Sequence, residues 1–396
     1  MARENVVVVG ASLAGLRAAE TLRREGYAGR LTLIGDEDEM PYDRPPLSKD
    51  FLSGRCDARH LRLAVADGLD ARWLLGSAAV RLDPVRRVVV LASGEEVPYD
   101  GLIVATGSRA RQLLDFDPSA SSVHSVRTLD DAVRLRDALR PGVRVLVVGC
   151  GFVGIETAST ARGLGAEVSV VGIDPPVAPA GPLAVARAQQ LLAEGGVSMH
   201  VGHTVAEVAE HAEGYRVVLS DGTGLDVDEV VVSIGSVPNV DWLAGSGADT
   251  GNGVRCDEFL RVVGLDDVYA AGDIVSWPNA TFGGLQMRVE HWSNAAEQGT
   301  AAARNLLATA GAERPFGTLP SFWSDHFGTK LQSVGLPRLA DRFEVVAGDV
   351  ESGTFCAEAY AGQVLVGGVA YGMPREIVRI RLALARSGVA PVPVSR

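Results

Sequence analysis

The sequence predicts an α/β protein with two Rossmann-like domains, the second inserted in the first, and a small α+β domain at its C-terminal end. A glycine-rich turn between a β-branched run and a helical pattern occurs twice, at residues 10–15 and 149–154. Two similar segments, each a strand pattern that ends in a glycine turn, lie on either side of the second turn at residues 100–107 and 268–273. This symmetry predicts one domain interrupted by another.

Length and composition agree with several domains. The 396 residues, 47% hydrophobic and 22% charged, are typical of a globular protein with two or three domains. The predicted first domain comprises residues 1–112 and 245–315, and the inserted domain residues 113–244. The chain changes character near residue 316, so residues 316–396 are predicted to form the third domain.

The formal net charge of −12 disfavours binding to nucleic acid or to an anionic membrane surface. The N-terminal residues lead directly into the strand pattern Val6–Val9, and no apolar run approaches the roughly 20 residues needed to cross a bilayer. We therefore expect no signal peptide, no membrane span and a cytoplasmic location.

The cysteines are scattered, at Cys56, Cys150, Cys256 and Cys356. They form no C-x-x-C dithiol and no spacing suited to zinc or an iron–sulfur cluster. We therefore predict reduced structural thiols and no metal site.

The first glycine-rich turn, Gly-Ala-Ser-Leu-Ala-Gly at residues 10–15, follows a run of valines. In the G-x-G-x-x-G pattern the first glycine permits the turn, the second admits a pyrophosphate, and the third lets helix and strand pack closely. Ser12 replaces the second glycine, and its small side chain still leaves room for a phosphate. Asp36 and Glu37 follow the next strand pattern, roughly 20 residues on, where a carboxylate can accept hydrogen bonds from a ribose diol. The alternative for these two residues is a solvated acidic loop.

The second turn keeps the full pattern, with Gly149, Gly151 and Gly154 between a predicted strand, Val143–Val148, and a predicted helix, Ile155–Leu164. The free N–H groups and the positive end of the helix dipole would face the phosphates. The turns begin 139 residues apart (149 minus 10), so they predict two dinucleotide sites. One cofactor would be held permanently and the other exchanged, and such cofactors perform hydride chemistry.

The loop at residues 41–49, Pro-Tyr-Asp-Arg-Pro-Pro-Leu-Ser-Lys, is stiffened by adjacent prolines. Stiff loops hold functional side chains in fixed positions. Arg44 and Lys49 are therefore either ordinary surface cations or groups that contact a cofactor phosphate or an electron-rich ring.

The remaining periodicities predict two β-meanders, a helical stretch before the second turn, an alanine-rich helix and a mixed C-terminal region. The predicted elements are a meander over residues 73–100 that begins with Trp73–Leu75, Ala79–Leu82 and Val88–Leu91, the helix Leu129–Leu139, the strand Glu167–Val171, a meander over residues 197–233, an alanine-rich helix whose start is the stretch Arg288–Gly299 and which runs to about Ala310, the strands Lys330–Val334, Phe343–Ala347, Cys356–Tyr360 and Gln363–Val369, and the helix Pro374–Ala385.

Along almost its whole length the chain resembles the FAD-dependent, NAD(P)H-using reductases of the ferredoxin-reductase type, within the larger glutathione-reductase-like group of flavoproteins. The motifs that carry the resemblance are the two glycine-rich turns, the loop at residues 41–49, Ala-Thr-Gly at 105–107, Ala-Ala-Gly-Asp at 270–273, Arg-Val-Glu-His-Trp at 288–292 and Phe-Trp-Ser-Asp at 322–325. The resemblance implies FAD and NADH or NADPH as cofactors.

The resemblance also implies which residues bind the cofactors. These are Gly10, Ser12, Leu13, Ala14, Gly15, Asp36, Glu37, Arg44, Lys49, Val80, Ala105, Thr106, Gly107, Arg127, Gly149, Gly151, Phe152, Val153, Gly154, Glu156, Gly235, Gly272, Asp273, Val289, Glu290, His291, Trp292 and Trp323.

Four of these positions are implied to be catalytic because they position flavin and nicotinamide, and no acid or base is assigned. Lys49 and Trp323 would lie near the flavin ring, Phe152 would cover the flavin until nicotinamide arrives, and Glu156 would place the nicotinamide. The structural alternatives are helix-to-sheet packing for Phe152 and a core aromatic role for Trp323.

The absent dithiol excludes transfer of two electrons to a disulfide beside the flavin. The resemblance implies instead that hydride is divided into single electrons for a [2Fe-2S] ferredoxin, which would supply a cytochrome P450 or a ring-hydroxylating oxygenase. One alternative is an NAD(P)H oxidase or a quinone or dye reductase, for which Cys56 is the only candidate peroxide-reactive thiol. Another is a flavoprotein that binds NAD(P)H tightly and signals through a partner.

Two further predictions concern nucleotide choice and docking. Gly172 stands where NADH-using members of the resembled family usually carry an acidic residue, and Asp174 comes two positions late. We expect NADH as the donor and keep NADPH as an open alternative. Arg375, Arg379 and Arg386 share one face of the last predicted helix, which is either a solvated basic face or part of a dock for an acidic ferredoxin.

Overall fold

The computed structural model describes residues 3–113, 115–211 and 214–387. Its elements up to residue 113 are β1 (Asn5–Val9), α1 (Leu13–Arg24), β2 (Arg30–Ile34), α2 (Ala58–Leu61), β3 (Arg72–Leu74), β4 (Ala79–Asp83), β5 (Val88–Leu91), β6 (Glu96–Pro98), β7 (Gly101–Val104) and β8 (Ser108–Ala110). Next come β9 (Val123–His124), α3 (Leu129–Ala138), β10 (Arg144–Val148), α4 (Phe152–Gly163), β11 (Glu167–Gly172), α5 (Pro182–Glu194), β12 (Ser198–Val201), β13 (Val205–His211), β14 (Gly214–Leu219), β15 (Gly224–Val227), β16 (Glu229–Val232) and β17 (Ser236–Pro238).

The chain continues with β18 (Val254–Arg255), β19 (Val268–Ala270), β20 (Val275–Asn279), β21 (Leu285–Arg288) and α6 (Trp292–Leu307). The last elements are β22 (Ser321–His326), β23 (Thr329–Gly335), β24 (Arg342–Asp349), β25 (Thr354–Ala361), β26 (Val364–Tyr371) and α7 (Pro374–Ser387).

The first parallel sheet has the strand order β19-β7-β1-β2-β3 and joins segments from both ends of the first domain. Its central valines, Val6–Val9, are almost fully buried, as expected of a parallel sheet covered on both faces. Helices α1 and α6 pack so closely that a Cβ at Gly299 would stand 2.3 Å from the carbonyl oxygen of Ala14. The pairing of β7 with β19 brings residues on either side of the inserted domain together.

The second parallel sheet has the order β12-β11-β10-β16-β9, and the meander β13-β14-β15 packs beside it. An antiparallel ribbon of β8 and β17 links the two sheets. The C-terminal sheet is antiparallel, in the order β22-β23-β26-β25-β24, and α7 packs on it through Ile377, Ile380 and Leu384. The predicted fold class is thereby confirmed. Among the described helices, none combines the length and apolarity that crossing a membrane requires.

The local differences from prediction have physical causes. Strand β3, which includes Trp73, belongs to the first parallel sheet beside β2 and not to the meander, which begins at β4. The hydrophobic pattern did not predict strand β22, because its two buried side chains, Ser324 and His326, are polar. Helix α4 begins at Phe152, since Gly151 is its N-cap and Gly154 lies within the first turn.

Candidate active site

Both glycine-rich turns open into one cavity of about 890 Å³. Gly10 lines it on the side of the first sheet, and Gly151 lines it on the side of the second. Both turns stand at the carboxyl ends of parallel strands, β1 and β10, which is where ligands bind in doubly wound sheets. The wall is completed by residues of the C-terminal domain, including Phe322 and Trp323.

Backbone contacts require the glycines of the first turn. A Cβ at Gly10, whose φ is +119°, would lie 2.0 Å from the carbonyl oxygen of Ala105, and one at Gly15 would lie 1.8 Å from that of Gly10. Ser12 is the N-cap of α1, yet within the described part of the chain its side chain makes no capping hydrogen bond. The free N–H groups of this helix start are suited to a pyrophosphate.

The second turn repeats this construction. A Cβ at Gly149, whose φ is +116°, would lie 2.1 Å from the carbonyl oxygen of Ser233, and one at Gly154 would lie 2.4 Å from that of Gly149. A Cβ at Gly151 would meet no described atom within 4 Å, so this position faces open space. Gly15, Gly149 and Gly154 therefore shape the turns from behind the cavity wall, while Gly10 and Gly151 line it.

An acidic residue of the first domain is held at the cavity wall by two donors. Glu37 accepts 2.5 Å hydrogen bonds from Arg44 Nη2 and from the Tyr42 hydroxyl. Burial is the main cause of a raised pKa at Tyr42, so this hydroxyl stays protonated and donates a hydrogen bond to Glu37. Asp36 also lines the cavity but is exposed.

A second acidic residue is oriented in the same cavity. Asp273 forms a 2.9 Å ion pair with Arg127, and the hydroxyl of Ser108 donates to it at 3.3 Å. Arg288 donates to the carbonyl oxygen of Asp273 at 3.0 Å and pairs with Glu290. The predicted residues Arg127 and Asp273, 146 positions apart in sequence, thus form one polar wall.

An ion pair in the cavity wall, Lys49 with Glu156, joins the first domain to the inserted domain, and the C-terminal domain donates hydrogen bonds to the same carboxylate. Glu156 on α4 is 4% exposed, and its Oε2 accepts 2.6 Å hydrogen bonds from Lys49 Nζ and Ser48 Oγ. Its Oε1 accepts from Ser324 Oγ at 2.7 Å and from the backbone N–H of Asp325 at 3.2 Å. A buried carboxylate requires such partners, because an unpaired charge in the interior is costly.

Aromatic rings from separate domains meet at the same place. The ring centroids of Phe152 and Phe322 are 4.4 Å apart. The ring centroids of Phe322 and His291 are 5.1 Å apart. Burial lowers the pKa of His291 to about 4, so this imidazole is neutral at physiological pH. Its Nδ1 is buried and has no hydrogen-bond partner among the described residues. An orphaned polar atom in a cavity wall is a position from which a bound group can be contacted.

The stiff loop at residues 41–49 is fastened to α6. Trp292 Nε1 donates to Asp43 Oδ1 at 2.7 Å, and burial raises the pKa of this carboxyl. Asp43, Ser48 and Ser324 were absent from the predicted site, although each lies inside a motif that supports the family resemblance. Their partners, Trp292 for Asp43 and Glu156 for the two serines, lie more than 100 positions away in sequence, so only tertiary contacts reveal their roles.

Most predicted site residues meet in the cavity wall. Those that line it are Gly10, Ser12, Leu13, Ala14, Asp36, Glu37, Arg44, Lys49, Ala105, Thr106, Gly107, Arg127, Gly151, Phe152, Val153, Glu156, Gly235, Gly272, Asp273, Val289, Glu290, His291, Trp292 and Trp323. Val80 lies on β4, exposed and outside this wall, whereas its neighbour Ala79 lines it. The two open helix starts, the open face of Gly151 and the orphaned His291 nitrogen fit two dinucleotide cofactors.

The absence of an acidic residue at Gly172 has a steric explanation. A Cβ at Gly172 would stand 2.7 Å from Cys150 Sγ, so the thiol occupies the space of a side chain. Burial raises the pKa of Cys150 to about 11, and the nearby Asp174 carboxylate adds to the effect. Asp174 is exposed after the end of β11.

The predicted basic face of α7 is present and exposed. Arg375, Arg379 and Arg386 are exposed, and Arg379 pairs with Glu376 at 2.6 Å. Two apolar side chains of the same face, Val378 and Leu382, are also about half exposed. These three arginines and two apolar residues form one exposed surface, the α7 face.

The fold and the cavity define an oxidoreductase that uses two dinucleotides. The chain belongs to the pyridine nucleotide-disulphide oxidoreductase family, whose model matches residues 4–299, and a reductase C-terminal model matches residues 321–393.

One curated relative and two solved structures are similar to this chain over almost its whole length. The ferredoxin–NAD(+) reductase component of the anthranilate 1,2-dioxygenase system of Burkholderia cepacia is 36% identical, over 99% of this chain and 97% of its own. The covalent putidaredoxin reductase–putidaredoxin complex superposes with a TM-score of 0.91 and 29% identity, covering 98% of this chain and 94% of the other. The ferredoxin reductase for the CYP199A2 system of Rhodopseudomonas palustris has a TM-score of 0.90 and 33% identity, covering 98% and 96%.

Proposed function

We propose that the protein is an FAD-dependent NAD(P)H:ferredoxin oxidoreductase that passes single electrons to a [2Fe-2S] ferredoxin. The observation that carries the proposal is the single cavity into which both glycine-rich turns open, with the Lys49–Glu156 pair in its wall. The relatives that serve dioxygenase and CYP systems support a ferredoxin that supplies a ring-hydroxylating oxygenase or a cytochrome P450.

In this proposal the protein's own residues bind and orient the two cofactors and shield the flavin from water. Bound FAD would accept hydride from the nicotinamide and release electrons one at a time. The α1 start, Glu37 with Arg44, and Asp273 with Arg127 would hold FAD. The α4 start would hold the nicotinamide nucleotide, and Phe152 against Phe322 would exclude water from the flavin face until that nucleotide arrives.

In the proposed domain assignment, residues 1–112 with 245–315 bind FAD and residues 113–244 bind NAD(P)H. Residues 316–396 then complete the flavin pocket and receive the ferredoxin. Glu156 and Lys49 would place the nicotinamide and the flavin ring relative to each other, because their ion pair joins the first two of these domains.

Electrons would leave through the C-terminal domain. Trp323 lines the cavity and is also 39% exposed, so it spans the wall between the site and the surface. It lies on β22, whose first residue, Ser321, accepts a 3.4 Å hydrogen bond from Arg381 of α7. An acidic ferredoxin on the α7 face would therefore stand near this exit, and charge there would mainly raise the association rate.

The thiols weigh against the oxidase alternative. Burial and the carboxylates of Asp50 and Asp57 raise the pKa of Cys56, which disfavours the reactive thiolate, and Cys56 does not line the described cavity. The other cysteines are buried and free. We also propose a cytoplasmic location, where free thiols persist.

Stopped-flow reduction of the purified flavoprotein by NADH and by NADPH, followed by mixing with a [2Fe-2S] ferredoxin, tests the proposal. We expect rapid bleaching by NADH and reoxidation at a rate that rises with ferredoxin concentration. If the flavin is reduced but only dioxygen or a quinone reoxidises it, the oxidase or dye-reductase function replaces the ferredoxin reductase. A long-lived reduced complex that no acceptor reoxidises would favour the signalling flavoprotein.

A further inference from the structure

A chain of buried hydrogen bonds continues from the active-site ion pair into the C-terminal sheet. Ser324 Oγ, which contacts Glu156 Oε1, lies 2.9 Å from His326 Nε2, and His326 Nδ1 lies 2.9 Å from the Tyr371 hydroxyl. Ser324, His326 and Tyr371 are fully buried. Among them only Ser324 belongs to a motif that the sequence singled out.

The donor and acceptor capacities of these groups allow only one direction of donation along the hydrogen-bond chain, from Tyr371 towards Glu156. A Glu156 carboxylate can only accept, so the Ser324 hydroxyl donates to it. Ser324 must then accept from an N–H on His326 Nε2, which leaves Nδ1 as the acceptor for the Tyr371 hydroxyl. Burial lowers the pKa of His326 to about 4 and raises that of Tyr371, so at neutral pH the imidazole is neutral and the phenol keeps its proton.

The direction matters because the two oxygens of Glu156 are held from opposite sides. Lys49 and Ser48 bind Oε2 from the first domain, whereas Ser324 and the N–H of Asp325 bind Oε1 from the C-terminal domain. A serine hydroxyl rotates freely unless a second partner directs it. The N–H of His326 supplies that partner and leaves the Ser324 proton aimed at Glu156.

We propose that His326 and Tyr371 are positioning residues for hydride transfer, acting through Ser324 to orient the Glu156–Lys49 pair. The inference rests on the proposed function, in which this pair places nicotinamide against flavin. It assigns the core of the C-terminal domain a role in the reductive half-reaction, in addition to the ferredoxin side of the protein.

The variants follow from the donor pattern. His326→Leu removes both hydrogen-bonding nitrogens, and Tyr371→Phe removes only the terminal donor. His326→Gln is the conservative rescue, because its amide N–H can donate to Ser324 while its carbonyl oxygen accepts from Tyr371. Ser333→Ala is the matched control, since Ser333 is buried in the adjoining strand β23 and, in the described structure, its hydroxyl has no partner.

The first measurement is anaerobic single-turnover reduction of the bound flavin over a range of NADH concentrations. We expect His326→Leu to lower the limiting rate constant roughly tenfold and Tyr371→Phe severalfold, with little change in the apparent Kd for NADH, because nicotinamide alignment is disturbed rather than nucleotide binding. His326→Gln should restore most of the rate, and Ser333→Ala should match the wild type.

The second measurement is nitrogen NMR of the holoenzyme labelled with ¹⁵N at histidine, with the His326 signal assigned by its loss in His326→Gln. We expect the Nε2–H tautomer at neutral pH, and a shift of the Nδ1 signal in Tyr371→Phe. The Nδ1–H tautomer, or equal slowing in His326→Leu and His326→Gln, would overturn the inference. Unaltered reduction in Tyr371→Phe and His326→Leu would do so as well. If neither NADH nor NADPH reduces the wild-type flavin, the proposed function itself is wrong.

Discussion

The Lys49 ammonium donates a 2.6 Å hydrogen bond to the Glu156 carboxylate across 107 positions of sequence, and the carboxylate is buried while the lysine side chain is 13% exposed. Ser48, the neighbour of Lys49, bonds the same oxygen. The loop at residues 41–49 is thereby fixed against α4, the helix that follows the second glycine-rich turn.

Lys49→Met should therefore destabilise the protein as well as slow flavin reduction. Removing one partner of a buried pair leaves an uncompensated charge, which costs about 3–5 kcal/mol. Urea unfolding of the variant measures this cost. Lys330→Ala is the control, because its pair with Asp325 is longer, 3.7 Å, and partly exposed, and such pairs contribute about 0–1 kcal/mol. Equal losses in the two variants would show that the Lys49 pair has no special structural role.

Gly15→Ala should reduce FAD occupancy because the added methyl group would stand 1.8 Å from the Gly10 carbonyl oxygen. The α1 start would have to move away from β1, at a cost of roughly 1–3 kcal/mol. The ratio of flavin absorbance to protein absorbance after purification measures occupancy. Gly163→Ala is a matched helical control, since its added methyl would meet no described atom within 4 Å. A full complement of FAD in Gly15→Ala would contradict the steric argument.

Charge reversal on the α7 face should weaken ferredoxin docking. We expect Arg379→Glu with Arg386→Glu to raise the KM for ferredoxin roughly tenfold, because attraction of an acidic partner becomes repulsion, while the rate of flavin reduction stays unchanged. Steady-state assays at several salt concentrations should show a weaker salt dependence than the wild type. Arg216→Glu, on the β14 meander strand of another domain, is the control and should leave the KM unaltered. If the KM for ferredoxin changes neither with the charge reversal nor with the salt concentration, the α7 face is not the docking surface.

Acid should destabilise the protein through its buried imidazoles. The folded pKa of His326, about 4, lies below the ordinary value of 6.5, so between these values the unfolded chain binds a proton that the folded chain does not. Stability is therefore lost as the pH falls through this window, by about 2 kcal/mol for this residue at pH 5. His291 should contribute in the same direction.

The variant His326→Gln measures how much His326 contributes to the pH dependence of the unfolding free energy. The difference in unfolding free energy between pH 7.5 and pH 5, from urea titrations, should be smaller in the variant by the same amount, about 2 kcal/mol. The same pH-dependent loss in variant and wild type would mean that His326 is protonated as readily when folded as when unfolded.

Several parts of the site could be predicted because they depend on local chain geometry. Gly10 and Gly149 adopt positive φ and lie against the carbonyl oxygens of Ala105 and Ser233, so the glycine spacing reports the turn directly. The family motifs likewise singled out Lys49, Glu156 and Trp323. The strand β22 was missed since its buried positions carry Ser324 and His326, which a hydrophobic pattern does not register as core.

The sequence alone determined the fold class, the two dinucleotide turns and the absence of a dithiol, because turns and strand–helix units are encoded by neighbouring residues. Only the tertiary structure decided that Glu156 pairs with Lys49, that Cys150 fills the space beside Gly172, and that Ser324, His326 and Tyr371 extend the ion pair into another domain. The physical reason is burial: a charged or polar group inside a protein must find its partner in space, and the four hydrogen-bond donors to Glu156 are each more than 100 residues away in the chain.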